Sequence, residues 1–492
     1  MLFNSLQFGI FFPVVVLLYL VMPRRMRCLW LLFASYFFYM GWNPKYALLI
    51  LTSTVITWGS GLLMDRLPDK KKLVVAASFV LNLSILFVFK YFDFLLANVN
   101  GLLGMLHLTA VKKPFDVLLP VGISFYTFQA LGYTVDVYRG TIRPERSFLR
   151  YALFVSFFPQ LVAGPIERSG NLLTQIQELP TKKLWDYDRI AGGLTLMLWG
   201  LFQKMVIADR IAVLVDEVFN NYQMHGWFGL SVGAVAFALQ IYCDFASYST
   251  IAIGAALVMD FRLMENFDTP YFSRSVSEFW RRWHISLSSW FRDYLYIPMG
   301  GSRCSKWKRY RNLLVIFLVS GLWHGAAWTY VVWGGIHGLY QVLGYELKGV
   351  RDWVNQRLHT KTDCLSYKLG QVLVTFFLTD LAWIFFRAPS LTDALTYLRR
   401  MFTRLDFWSL FNGEIYCLGL ERQELNILFL SLICLVLVDL VQYFGRKRLD
   451  VFLKEQNLWF RWGVLLFLIG AVAVFGIYGP GYDAKQFIYF QF

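Results

Sequence analysis

Three of the six histidines in this chain stand in tryptophan-rich stretches of low charge. His284 follows Phe279-Trp280-Arg281-Arg282-Trp283, His324 follows Trp323 and precedes Gly325, and His337 lies between Gly334-Gly335 and Gly338. The block around His324 is apolar enough to lie in a bilayer, where an ionisable group is costly and marks a functional site by default. Near neutral pH an imidazole takes a proton from a hydroxyl or thiol and hands it on. A lone histidine of this kind is more often a hydrogen-bonded core residue. Two tryptophan-flanked histidines in one chain shift the reading to acid–base catalysis.

Spacing narrows the chemistry further. His324 and His337 are 13 positions apart; on an unbroken helix they fall on nearly opposite faces, about 20 Å from each other. They cannot share a metal on such a helix, and no H-E-x-x-H pattern or zinc spacing of cysteines is present. No G-x-S-x-G elbow suggests a serine hydrolase and no P-loop suggests ATP hydrolysis. His284 and His324 belong to different segments and can meet only through tertiary folding. A two-histidine site suits acyl transfer, with one base to activate a hydroxyl and another polar group to orient the donor carbonyl. Gln240, Asp244 and Tyr248 recur every four residues and stack on one helical face. That face lines a wet tunnel or bonds neighbouring helices. Trp323, Arg281 and Arg282 flank the histidines and are candidate supporting residues.

The elements that position these groups are membrane helices. Charged residues make up 16% of the chain and apolar ones 57%, with a mean hydropathy of +0.48; soluble domains carry about 25% charge. Apolar blocks of bilayer-spanning length run over 6–22, 28–42, 46–64, 73–91, 115–133, 149–165, 190–216, 227–260, 312–347, 369–387, 424–444 and 459–478. Short alternating strands of a β-barrel are absent, so the expected class is all-α and polytopic. The 227–260 and 312–347 blocks exceed one crossing, so each is a long tilted helix, a broken helix or a tight helical hairpin; Gly325 and Gly334-Gly335 are candidate break points in the second. The blocks at Pro120 and Pro159–Pro165 are short enough to be re-entrant. Met1–Leu20 reads as a retained first helix rather than a signal peptide. Six scattered cysteines imply no disulfide framework.

The net charge of +15 fits basic loops beside anionic lipid and argues against nucleic acid as a partner. Basic loops placed inside put both termini outside, with Arg399, Arg400 and Arg404 as the exception. They lie in 388–423, the longest polar connection after the core and an expected interfacial insertion in an otherwise single 1–492 domain. The interval 261–311 holds ten Lys or Arg against four Asp or Glu. Within it Ser277 to Pro298 reads as one amphipathic helix, lying at the inner interface or folded into the bundle.

Several linked motifs resemble the membrane-bound O-acyltransferases, in the bacterial branch that acetylates alginate and other exopolysaccharides. The strongest are Asn266–Tyr271, Glu278–Ser288, Arg292–Pro298, Gly321-Leu322-Trp323-His324-Gly325 and His337-Gly338; softer ones are Gly122–Gln129 and Phe158–Ile166. Thr250 and Ala327 depart from the branch's usual pattern. The resemblance implies tilted helices around a central funnel or tunnel, His324 as the catalytic histidine and His284 at the second signature position. It further implies no permanently bound cofactor, an acetyl-CoA or acyl-carrier-protein thioester as donor, a polysaccharide acceptor, an extracytoplasmic SGNH-like partner protein, and a place in the bacterial plasma (inner) membrane. D-alanyl transfer to teichoic acid from a carrier protein is the near alternative. A donor transporter without catalysis is the alternative of another class.

Overall fold

The helices follow from the solvent. Backbone groups among lipid tails have no water to bond, so each apolar block closes its own hydrogen bonds. The computed structural model describes residues 1–113, 119–162, 164–182, 184–478 and 488, and among these there is no strand. Residues 115–118 of the fifth apolar block and Ala163 of the second softer motif lie outside the described residues. Among the described residues seven helices are long and apolar enough to cross a membrane: Pro44–Arg66, Pro68–Met105, Tyr187–Asn220, Trp227–Val258, Leu365–Arg387, Arg422–Gly445 and Leu458–Phe475. Leu6–Val21 and Arg27–Met40 are apolar but shorter. The protein is an all-α multipass membrane protein.

The chain forms two compact units, one of Met1–Leu194 with Ala252–Met264, the other of Thr195–Ile251 with Glu265–Phe492. In the first unit the two softer motifs pack on each other. Gly122 takes φ +75°, and a Cβ there would lie 2.5 Å from the carbonyl oxygen of Leu161, so this contact admits only glycine. Gln129 donates through Nε2 to Phe154 O at 2.6 Å, and Gln160 donates through Nε2 to Gln129 Oε1. The proline-containing stretch forms two short helices, Phe148–Ser156 and Phe158–Leu161, buried along most of their length.

The second unit carries all three candidate histidines. The Trp227–Val258 helix runs unbroken for 32 residues, so the long 227–260 block is a single helix. The 312–347 block instead divides into Lys306–His324 and Trp328–Arg357, joined by Gly325-Ala326-Ala327. Gly334-Gly335 does not break the second helix; Gly334 lets the hairpin close. A Cβ on Gly321 would lie 2.2 Å from Tyr330 O, and one on Gly334 2.1 Å from Phe317 O. The two helices therefore touch backbone to backbone, as small residues allow in membranes. The Arg422–Gly445 and Leu458–Phe475 helices leave most of their apolar surface exposed, which suits lipid as their surroundings.

The 388–423 connection begins with the Leu391–Thr403 helix, capped by Ser390, whose Oγ accepts from Asp393 N at 3.1 Å. Tyr397 buries its ring and donates its hydroxyl to Leu230 O at 2.6 Å. Beyond it Phe402, Phe407, Trp408 and Phe411 are exposed.

Candidate active site

The expected continuous helix over Ser277–Pro298 is interrupted at His284. Val276–Arg282 and Ile285–Phe291 are separate helices, and His284 between them takes φ +45°, ψ +53°. A non-glycine residue in this region carries a strain of about 1–3 kcal/mol unless its surroundings hold it. The Asn266–Asp268 segment does so: Asp268 N donates to Arg282 O at 3.0 Å and Ile285 N to Asn266 O at 2.9 Å. These bonds satisfy backbone groups that a continuous helix would have used itself. The first helix is capped by Ser275, whose Oγ accepts from Glu278 N at 3.1 Å, two residues before the start expected at Ser277. Phe279, Trp280, Trp283, Leu287 and Trp290 are all buried, so this segment folds into the protein rather than lying on it.

His284 is fully buried. Its Nδ1 lies 3.0 Å from Asn266 Oδ1. The same Asn266 atom faces the backbone N–H of Ser286 at 3.4 Å and the Ser286 hydroxyl at 2.9 Å. A backbone N–H can only donate, so that atom is the amide oxygen, and His284 Nδ1 carries the proton. In the neutral ring Nε2 is then the basic nitrogen. Asn266 is held in turn by its Nδ2 donating to Ser249 Oγ at 2.9 Å.

His324 is the last residue of the Lys306–His324 helix and is 4% exposed. Its ring packs against Trp323 at 4.9 Å, Trp333 at 5.1 Å and Phe386 at 5.6 Å between centroids. The negative end of the helix dipole stabilises positive charge as this imidazole takes a proton. His284 and His324, 40 positions apart in sequence, have ring centroids 6.3 Å apart. Trp323 touches both, its centroid 6.0 Å from that of His284. Two imidazoles thus meet in a buried aromatic enclosure, where electrostatic effects are stronger than in bulk water.

His337 is also fully buried but is set the other way. Trp280 Nε1, which can only donate, bonds His337 Nδ1 at 3.2 Å. The proton of the neutral ring therefore sits on Nε2. Trp333 lies between this histidine and His324, 5.0 Å from the one and 5.1 Å from the other. The break after His324 brings the two histidines around a shared tryptophan, where an unbroken helix would have set them on opposite faces.

The remaining candidates divide. Asp244 binds Lys204 Nζ, which also reaches Asp209 at 2.8 Å; all three side chains are at most 2% exposed. Ile488 N donates to Asp244 Oδ2 at 2.8 Å, and the Tyr248 ring lies 5.9 Å from Lys204 Nζ. Asp244 and Tyr248 therefore belong to a buried charge cluster around Lys204. Lys204 and Asp209 were missed in the sequence. They sit in the 190–216 block, where the rule applied to His324 also flags them, and the π-helix Phe202–Ala208 brings their five-residue spacing onto one face. Arg281 is exposed and bonds only its own helix among the described contacts, at Ser277 O. Arg282 is buried and clamps Glu278 at 3.0 Å, Asp268 O at 3.1 Å and Thr269 Oγ1 at 3.2 Å. It thereby fixes the loop that carries Asn266. Among the described residues no three of His, Cys, Asp and Glu cluster as metal ligands would.

The sequence profile of MBOAT, the membrane-bound O-acyltransferase family, matches residues 62–387. This chain belongs to that family. The acyltransferase is 36% identical over 456 residues to the probable alginate O-acetylase AlgI of Pseudomonas aeruginosa, covering 91% of this chain and 83% of the relative. It is 35% identical over 434 residues to the peptidoglycan O-acetyltransferase of Helicobacter pylori, covering 82% and 80%. A teichoic acid D-alanyltransferase of Bacillus subtilis is 26% identical over 310 residues, covering 60% and 73%. The chain is an O-acyltransferase, and its matched region contains all three histidines.

Proposed function

We propose that this protein moves an acetyl group from a cytoplasmic thioester, acetyl-CoA or an acyl carrier protein, to a hydroxyl of a cell-surface or secreted polysaccharide. The whole chain works as one acyltransferase domain in the bacterial plasma membrane, with an extracytoplasmic SGNH-like partner protein assisting delivery. The 388–423 stretch, with its exposed aromatics, is an interfacial insertion. The observation that carries this reading is the meeting of His284 and His324 in one enclosure. His324 serves as general base or acyl-handling nucleophile, His284 orients the donor or relays the proton through Nε2, and Trp323 holds the two rings together. Relatives named for acetylation of polysaccharides cover more of the chain, at higher identity, than those named for D-alanyl transfer.

The test is mass spectrometry of surface polymer from a deletion strain and its complements. Ester acetate is expected to vanish with the deletion, return with the wild-type gene, and stay absent with His324→Ala at equal membrane levels. Loss of ester alanine in place of acetate would replace acetylation by D-alanylation. Unchanged polymer esters would refute both.

A further inference from the structure

Arg27 opens the Arg27–Met40 helix and is only 8% exposed. Its Nε donates to Met22 O at 3.2 Å, which turns the guanidinium back into the turn between this helix and Leu6–Val21. That bond leaves much of the fork unclaimed. Nη1 is buried without a hydrogen-bond partner, and no carboxylate among the described residues pairs with Arg27. A guanidinium withdrawn from water without a counter-charge is strongly unfavourable, so its anion is the feature to account for.

The neighbouring carboxylate is engaged elsewhere. Asp260 and Arg189 lie within electrostatic reach of Tyr19, as Arg27 does. Asp260 is held by Lys182 Nζ at 3.9 Å and by Arg189 Nε at 3.5 Å. Arg189 also donates to the carbonyls of Leu184, Leu257 and Val258. Three cations thus gather near one carboxylate, and Arg27 is the one it does not pair.

Two further donors belong to the same turn. Tyr19 is fully buried and its hydroxyl has no hydrogen-bond partner among the described residues. The Arg27 guanidinium carbon lies 5.9 Å from the centroid of the Tyr19 ring. No side chain caps the Arg27–Met40 helix, so the N–H groups of its first turn also point into the turn. A guanidinium, a phenol and a helix N-terminus form a donor set that suits an anion with several oxygens, such as phosphate.

The surroundings indicate where that phosphate comes from. Leu17, Leu18 and Val21 on the first helix, with Leu29 and Phe33 on the second, are exposed apolar side chains; in a bilayer they face acyl chains. Arg24 and Arg25 stand exposed in the turn. Basic turns lie on the cytoplasmic side, at the height of the headgroups, where they attract anionic lipid and repel a choline cation. We propose that this turn holds the phosphate of an anionic phospholipid of the cytoplasmic leaflet. Arg27 is its counter-ion and Tyr19 its second donor. The inference does not depend on the acyl-transfer reading.

Native mass spectrometry of the full chain in detergent tests it, with phosphatidylglycerol, phosphatidylcholine, inorganic phosphate and coenzyme A as probes. Phosphatidylglycerol is expected to be retained about tenfold more tightly than phosphatidylcholine. Arg27→Gln should weaken it about tenfold or more, and Tyr19→Phe about three- to tenfold. Arg24→Gln removes the same charge from the exposed part of the turn and should cost less than about fivefold. Tyr19→Phe deletes a hydroxyl that bonds nothing else in the fold, so it keeps the test valid if Arg27→Gln unfolds. Equal retention of the two lipids, or unchanged retention in Tyr19→Phe, overturns the proposal. Displacement of the lipid by inorganic phosphate or coenzyme A gives the site to a soluble anion and overturns it too.

Discussion

His284 and His337 are the same residue type, both fully buried and both packed among tryptophans, yet their surroundings place the ring proton on opposite nitrogens. At His284 an amide oxygen claims the Nδ1 proton and leaves Nε2 basic. At His337 an indole N–H occupies the Nδ1 lone pair, so Nε2 carries the proton. The His324 ring neighbours that of His284 directly and that of His337 across Trp333. What a buried histidine does is decided by which nitrogen its neighbours take, more than by burial itself.

This contrast can be broken in graded steps. His324→Ala removes the proposed general base, and acetyl transfer should fall by about 10²–10⁴-fold or to background, with membrane insertion intact; a transfer assay on membranes normalised for protein measures it. Asn266→Leu removes the acceptor that fixes His284. Transfer should fall by about 10–100-fold, on the scale seen when an orienting partner is lost, and thermal unfolding in detergent should show a loss of about 1–3 kcal/mol from the stranded Ser286 donors. Trp280→Phe keeps the ring but frees His337 Nδ1. Transfer should drop by less than about tenfold, with a stability cost of about 1–2 kcal/mol. Ser249→Ala acts one step further out, on the residue that steadies Asn266, and should cost at most about 1 kcal/mol with near-normal kcat. If Trp280→Phe proved as damaging as Asn266→Leu, the two corners would not differ in role.

Much of the frame was legible in the sequence. Apolar blocks located the helices, and the Trp–His pairs pointed at the residues that meet. What stayed hidden depended on contacts between distant segments. The break at His284 cannot be read from Ser277–Pro298, whose apolar spacing is helical throughout; it exists because Asn266–Asp268 takes up the backbone bonds there. The hairpin after His324 was legible, because Gly325 marked a break in an apolar run too long for one crossing; Gly334, the other candidate breaker, serves close packing instead. Arg281 and Arg282 are indistinguishable as neighbours in sequence, yet one is exposed and the other clamps the Asn266 loop. Lys204 was masked by the strongly apolar 190–216 block, although its charge there was itself the signal.

The central claim, that His284 and His337 hold opposite tautomers, is open to one direct reading. Solid-state ¹⁵N NMR of the histidine-labelled protein in lipid, with His284→Asn and His337→Asn to assign the signals, reports which ring nitrogen bears the proton. The account predicts Nδ1–H at His284 and Nε2–H at His337; the same tautomer at both positions would contradict it.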